Sequence, residues 1–125
     1  MAPALVEGDL ALFQCVLESY YTGDIALVEF GGSRYVRRVV ALPGQTVDIR
    51  EETGELYVDG EPLQESYVYE GTYGKEEVPF PLTLGEGEYF LLGDHRGNAR
   101  DSRNYGPATE DQLKGKLLCT LLRWW

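Results

Sequence analysis

Basic residues are in short supply in this 125-residue chain: 11 Lys and Arg stand against 21 Asp and Glu, a formal net charge of -10. That balance argues against a nucleic-acid binder, which needs a basic face. There are two cysteines and one histidine. Cys15 and Cys119 lie far apart, and neither they nor His95 show the spacing of zinc ligands, so a structural metal site is not expected. The two thiols read equally as free core residues or as a bridge between a first and a last strand. No run approaches the ~18 apolar residues of a membrane span. No secretory leader is visible, because the chain opens at once on an acidic, strand-like segment, so the sequence as it stands reads as soluble. Low-complexity tracts are missing too, and the length suits one domain with a real core rather than two.

What is abundant is glycine (15) and tyrosine (9) among many Val, Leu and Thr, a composition that favours strands and turns. A near-repeat opens the chain: "EGDLALF" at 7–13 returns as "TGDIALV" at 22–28, each a Gly-Asp turn followed by an apolar run. "GGSRYVRRVVALPG" then predicts a turn at Gly31-Gly32, a strand, and a stop at Pro43-Gly44. "TVDIREETGELYVDGEPL" predicts a hairpin through Thr53-Gly54 with Val47 and Ile49 facing Leu56 and Val58, and a further turn at Asp59-Gly60. Residues 64–80 have no sustained period and read as an exposed excursion. "GEYFLLGD" and "KLLCTLLRWW" are strands, and "TEDQLKGK" is the only segment with helical character, Thr109 standing as its cap. The expected fold is mainly β: an antiparallel β-core with a smaller β insert, as a barrel or paired sheets.

Charge is uneven along the chain. Ten of the acidic residues fall between Asp48 and Glu77, against Arg50 and Lys75 alone, so the acidity belongs to one middle segment and reads first as a solubilising face. The strand at 34–42 poses the opposite problem. Alternation puts Tyr35, Arg37, Val39 and Ala41 on one side and Val36, Arg38, Val40 and Leu42 on the other, so each face of an apolar strand carries one arginine. A buried guanidinium needs a partner. Aspartates are available in "GDHRGNARDSRNYG", residues 93–106: Arg38 is expected within reach of Asp94 or Asp101, and Arg103 paired with Asp101.

"YVRRVVALPGQTVDI", "LYVDGEPL", "GEYFLLGDHRGNARDSRNYGP" and "LKGKLL" resemble, in order and spacing, the boxes of type I signal peptidases. The opening "MAPALVEGDLALF" is similar to the tail of the box that carries the nucleophile. The resemblance covers nearly the whole chain, and the long loop box is its most specific part. It implies a membrane-anchored serine endopeptidase with a Ser/Lys dyad, needing no cofactor and no metal. Its partner would be an extended peptide, the signal peptide of an exported protein, cut after an Ala-x-Ala pattern at the outer face of the bacterial cytoplasmic membrane. It also implies a division into a core of 1–44 and 81–125 and an acidic β insert of 45–80.

Carried over residue by residue, Met1, Pro3 and Leu5 fall at substrate-binding positions, and Arg38, Asp94, Asp101, Ser102 and Arg103 at structural ones. Gly8, Asp9, Pro43, Gly44, Gly93, Arg96 and Gly106 also match. The dyad does not. The nucleophilic serine would precede Met1, the general-base lysine is Arg37, and the serine that supports it is Ala99; Ala4 and His95 also depart from the pattern. A lysine can be made neutral by burial, whereas an arginine keeps its proton in essentially any protein setting. The sequence therefore predicts a signal peptidase-like chain that does not itself cleave. The alternative is a non-catalytic module that binds peptides by strand addition and assembles exported or surface proteins. A chain starting at an internal methionine explains the missing serine and anchor but neither Arg37 nor Ala99. A self-cleaving repressor-type core is disfavoured by the long box and the insert. Trp124 and Trp125 read as cover for the core edge, with contact to a membrane surface as the functional alternative.

Overall fold

The structure, a computed structural model, describes residues 10–14, 20–63, 71–75, 77–97 and 99–122. Strands β1 (Leu10–Gln14), β2 (Ile25–Phe30), β3 (Ser33–Ala41), β4 (Thr46–Arg50), β5 (Glu55–Val58), β6 (Glu61–Pro62), β7 (Leu82–Thr83) and β8 (Glu88–Leu92) precede a single helical turn, α1 (Ser102–Tyr105). Strand β9 (Ala108–Thr109), a 3-10 turn at Glu110–Gln112 and strand β10 (Leu113–Leu122) complete the order. The fold is mainly antiparallel β. Among the described residues two sheets form, one of six strands in the order β1-β10-β2-β3-β8-β9 and one of four in the order β6-β5-β4-β7.

Turn chemistry sets these pairings. Gly31 and Gly32 carry φ of 54° and 82°, and this tight two-residue loop joins β2 to β3 in an unbroken register from Phe30↔Ser33 to Ile25↔Arg38. The β4–β5 hairpin pairs Val47 with Val58 and Ile49 with Leu56, the facing the sequence predicts. At the ends of the chain β1 lies antiparallel to β10, so the first and last described strands are neighbours.

Strand β8 explains why there are two cores. Tyr89 and Leu91 join Ala26, Val28, Phe30, Val39, Ala108 and Leu113 on one side, while Phe90 and Leu92 join Val40, Ala41, Val47, Ile49, Leu56 and Leu84 on the other. Burying each large apolar side chain contributes about 1.5–3 kcal/mol, so β8 is a wall shared by both clusters rather than a cover for one. Strand β3 serves the same two cores, but not by simple alternation. Its register against β8 shifts between Val39 and Ala41. Ala41 consequently packs with Val40 in the second cluster, and Leu42 packs with Tyr35 and Val39 against the first.

Three expectations need correction or limits. "TEDQLKGK" is one 3-10 turn, after which the chain pairs as β10; the first acidic residues favour a helical start, but Leu113 and Gly115 are needed opposite Val28 and Leu27. Within 64–80, Thr72 and Val78 are buried, so residues 71–80 are not a wholly exposed excursion; residues 64–70 lie outside the described residues. Met1, Pro3, Leu5, Cys15, Trp124 and Trp125 also lie outside them. Among the described residues no helix is long and apolar enough to cross a membrane.

Candidate functional site

The site begins where β8 ends. Leu92 is followed by Gly93 and Asp94, and Asp101 then opens α1. Asp94 is 2% exposed and accepts from Arg38 twice, Nε at 2.9 Å and Nη2 at 2.6 Å, a bidentate pair. The third nitrogen of Arg38 donates to the Gly23 carbonyl at 2.9 Å, which ties the turn before β2 into the same network.

Asp101 holds the second network. It is the N-cap of α1: its Oδ1 accepts from the Arg103 backbone N–H, while the Asp101 backbone N–H donates to Asn104 Oδ1 at 3.1 Å. The same carboxylate accepts from Arg103 Nε at 3.0 Å, from Arg103 Nη2 at 2.9 Å and from the Gly93 N–H at 3.1 Å. Ser102 is buried and its Oγ accepts the Leu91 N–H at 3.0 Å. Arg38, Asp94, Asp101, Ser102 and Arg103 are thus all brought together at the end of β8. Their spacing of opposite charges is what the sequence shows; the helical turn that lets Asp101 cap and pair at once is not.

A second missing piece is the partner from the middle segment. Arg103 Nη1 donates to the Tyr73 carbonyl at 3.0 Å, and Arg96 Nη1 donates to Thr72 Oγ1 at 2.8 Å. Lys75 Nζ donates to the Ala99 carbonyl and, at 2.9 Å, to Asn104 Oδ1. Burial, reinforced by the nearby Arg103 charge, pushes the Lys75 ammonium below the usual lysine range. Residues 72–75 therefore dock on the box through backbone and side-chain bonds. No periodicity signals this, because the donors sit at irregular intervals along a loop.

Arg37 and Ala99 meet at Gly93. A Cβ added to Gly93 would stand 2.5 Å from the Ala99 Cβ and 3.5 Å from the Cδ and Nε of Arg37. Arg37 Nε donates to the Arg100 carbonyl at 2.7 Å and Nη1 to the Val36 carbonyl at 2.8 Å. Burial lowers the pKa of this guanidinium, with Asp101 opposing, but an arginine starts so high that it stays charged. Gly93→Ala should accordingly destabilise the domain by about 1–3 kcal/mol through overpacking, as read by urea unfolding. Part of the loss should return when it is combined with Ala99→Gly. An unchanged midpoint for Gly93→Ala would show that the box yields freely.

An aromatic shelf borders Arg37. Phe30 and Tyr105 stack with centroids 5.0 Å apart and an interplanar angle of 10°, and the Tyr35 and Tyr105 hydroxyls share a hydrogen bond of 3.4 Å. Arg100 Nε donates to Tyr105 Oη at 3.1 Å. The bond from Tyr35, then that from Arg100, holds the Tyr105 phenol below its ordinary range, and the same shared proton raises Tyr35. Ultraviolet titration should therefore find one tyrosine ionising early, and Tyr105→Phe should remove that step. Titration of all tyrosines together near pH ~10 would contradict this arrangement.

Among the described residues no group of His, Cys, Asp and Glu could hold a metal ion. The cavity beside the β4–β5 hairpin, about 370 Å³, carries Asp48 and Glu51, but each already accepts a backbone N–H, from Ile49 at 2.9 Å and from Gly74 at 2.7 Å.

The model of the signal peptidase family, peptidase S26, matches residues 1–125. A probable signal peptidase I-1 of Synechocystis sp. is 33% identical, over 94% of this chain and 64% of its own length. Signal peptidase I of Bacillus licheniformis is 34% identical, over 83% of this chain and 61% of its own length. The chain thus spans roughly three fifths of the length of these relatives. The crystal structure of a signal peptidase I from Enterococcus faecalis superposes with a TM-score of 0.67 at 30% identity, covering 82% of this chain and 99% of that one. Family match, identity and fold agree, and the chain belongs to the signal peptidase family, peptidase S26.

Proposed function

We propose that this chain is a signal peptidase I-type domain that receives the signal peptides of exported proteins at the outer face of the bacterial cytoplasmic membrane, and that it does not cut them. Family membership supports the client class and the place of action. The observation that carries the second half is Arg37. It lies against Gly93 and Ala99, where the family pattern has its lysine base and the serine that supports it. A guanidinium there donates hydrogen bonds but takes no proton from a nucleophile. Ala99 offers no hydroxyl, and Arg37 turns to the Arg100 carbonyl instead.

Within this reading, Met1, Pro3 and Leu5 take part in binding the peptide, and Arg38, Asp94, Asp101, Ser102 and Arg103 hold the box in shape. Residues 1–44 and 81–125 act as the core, and 45–80 as the acidic insert that the core carries. The same arginine favours a second reading, a peptide-binding module for assembly of exported or surface proteins, in which retention rather than hydrolysis is the function.

The test is incubation of the 125-residue chain with a precursor carrying an Ala-x-Ala site, in lipid, followed by mass spectrometry and co-sedimentation. The precursor should stay intact and co-sediment with the chain. Specific cleavage after the small residue would overturn the proposal of an inactive site, and loss of co-sedimentation would overturn the peptide-binding role.

A further inference from the structure

Several cations near the sheet find a carboxylate. Arg38 has Asp94 and Arg103 has Asp101, while Lys116 has Asp24 at 3.0 Å and Lys114 has Glu29 at 3.8 Å. Arg37 and Arg100, like the exposed Arg34 and Arg50, form no ion pair among the described residues; Glu77 reaches Arg100 only through its field, and Arg37 is half-buried. The carboxylate whose field Arg37 feels, Asp101, is already closed on both oxygens by Arg103. A half-buried guanidinium without a counter-charge is costly, and its charge is best balanced by an anion from outside the chain.

The surroundings describe that anion. The Arg37 guanidinium lies 4.9 Å from the centre of the Tyr35 ring, and that of Arg100 lies 5.5 Å from the centre of Tyr105. The two rings are 6.2 Å apart, so the two cations stand over adjoining aromatic faces that hold them in place. Arg37 uses Nε and Nη1 on main-chain carbonyls, and its Nη2 makes no described hydrogen bond. The tyrosine hydroxyls add a polar edge. Gly93 stands beside Arg37 and Ala99, so the surface next to the guanidinium is lined there by small residues.

We infer that Arg37 and Arg100, on the shelf of Tyr35 and Tyr105, form a receptor for the C-terminal carboxylate of a peptide. This rests on the peptide-binding reading above and sharpens it: the preferred ligand is a finished chain end rather than an uncut chain. A terminal carboxylate matches the planar guanidinium and supplies the missing negative charge. An internal peptide carbonyl at the same place supplies only hydrogen-bond acceptors.

The experiment is fluorescence anisotropy of the 125-residue chain with an N-terminally labelled peptide ending in Ala-x-Ala, as the free acid and as the amide. The acid should bind about tenfold more tightly or better. That ratio should fall close to one in Arg37→Gln and shrink in Arg100→Gln, with circular dichroism and melting temperature as folding controls. Inorganic phosphate at the peptide's concentration should not displace the label. Equal affinity of acid and amide overturns the inference while leaving the peptide-binding reading standing. Binding of neither overturns both. Displacement by phosphate overturns the assignment to a peptide end in favour of a general anion site. If Arg37→Gln does not fold, an undiminished ratio in Arg100→Gln, whose side chain is exposed, overturns it as well.

Discussion

Asp101→Ala is expected to cost about 3–5 kcal/mol, enough to leave a domain of this size largely unfolded at modest urea. The carboxylate is fully buried and accepts from the Arg103 side chain through Nε and Nη2, from the Arg103 N–H, and from the Gly93 N–H. Its removal leaves Arg103, 1% exposed, as an uncompensated charge beneath the box. It also uncaps α1 and frees the start of the loop that returns from β8. Arg103 keeps the Tyr73 and Arg96 carbonyls, which stops the loss from being larger. Urea unfolding with Glu86→Ala as the exposed control checks this, since that change should stay within about 0.5 kcal/mol. A loss below about 1 kcal/mol for Asp101→Ala would mean that the loop is solvated and the pair ornamental.

Arg37→Lys, in a chain given a serine immediately before Met1, is expected to bring the largest change in chemistry. General-base assistance contributes roughly 10²–10⁴ in rate, and Arg37 can supply none of it. The environment that lowers the arginine's pKa by burial would act on a lysine with far more consequence, because a lysine starts close enough to neutrality to lose its proton. Cleavage should therefore rise with pH through the depressed lysine pKa, the charged form being inactive and the neutral form active. Adding Ala99→Ser should raise the rate further, since a hydroxyl at that Cβ, set against Gly93 and Arg37, can orient the amine. The serine alone and the lysine alone should each fail. A pH-independent rate would contradict the proton-transfer argument.

Much of this site was legible in the chain before its fold was known, for a specific reason. Arg38, Asp94, Asp101 and Arg103 announce themselves because charges beside apolar strands must pair, and few partners exist. The β4–β5 hairpin was legible because Val47, Ile49, Leu56 and Val58 alternate around a glycine turn. The bulge near Val40 was not, because a register shift adds no residue type to notice and only redirects Ala41 and Leu42. Docking of Thr72, Tyr73 and Lys75 onto Arg96, Arg103, Ala99 and Asn104 was equally hidden. Two of those contacts use backbone carbonyls, which every residue carries. The turn at 102–105 is only one helical repeat long, too short for a hydrophobic period to show.

The most direct measurement compares two chains, both with a serine before Met1, one retaining Arg37 and one with Arg37→Lys. Each is mixed with an Ala-x-Ala peptide in lipid and followed by mass spectrometry. The account predicts intact peptide with the first and cleavage after the second alanine with the second. Equal cleavage by both would contradict it, because the guanidinium at that position would then be no obstacle to the chemistry.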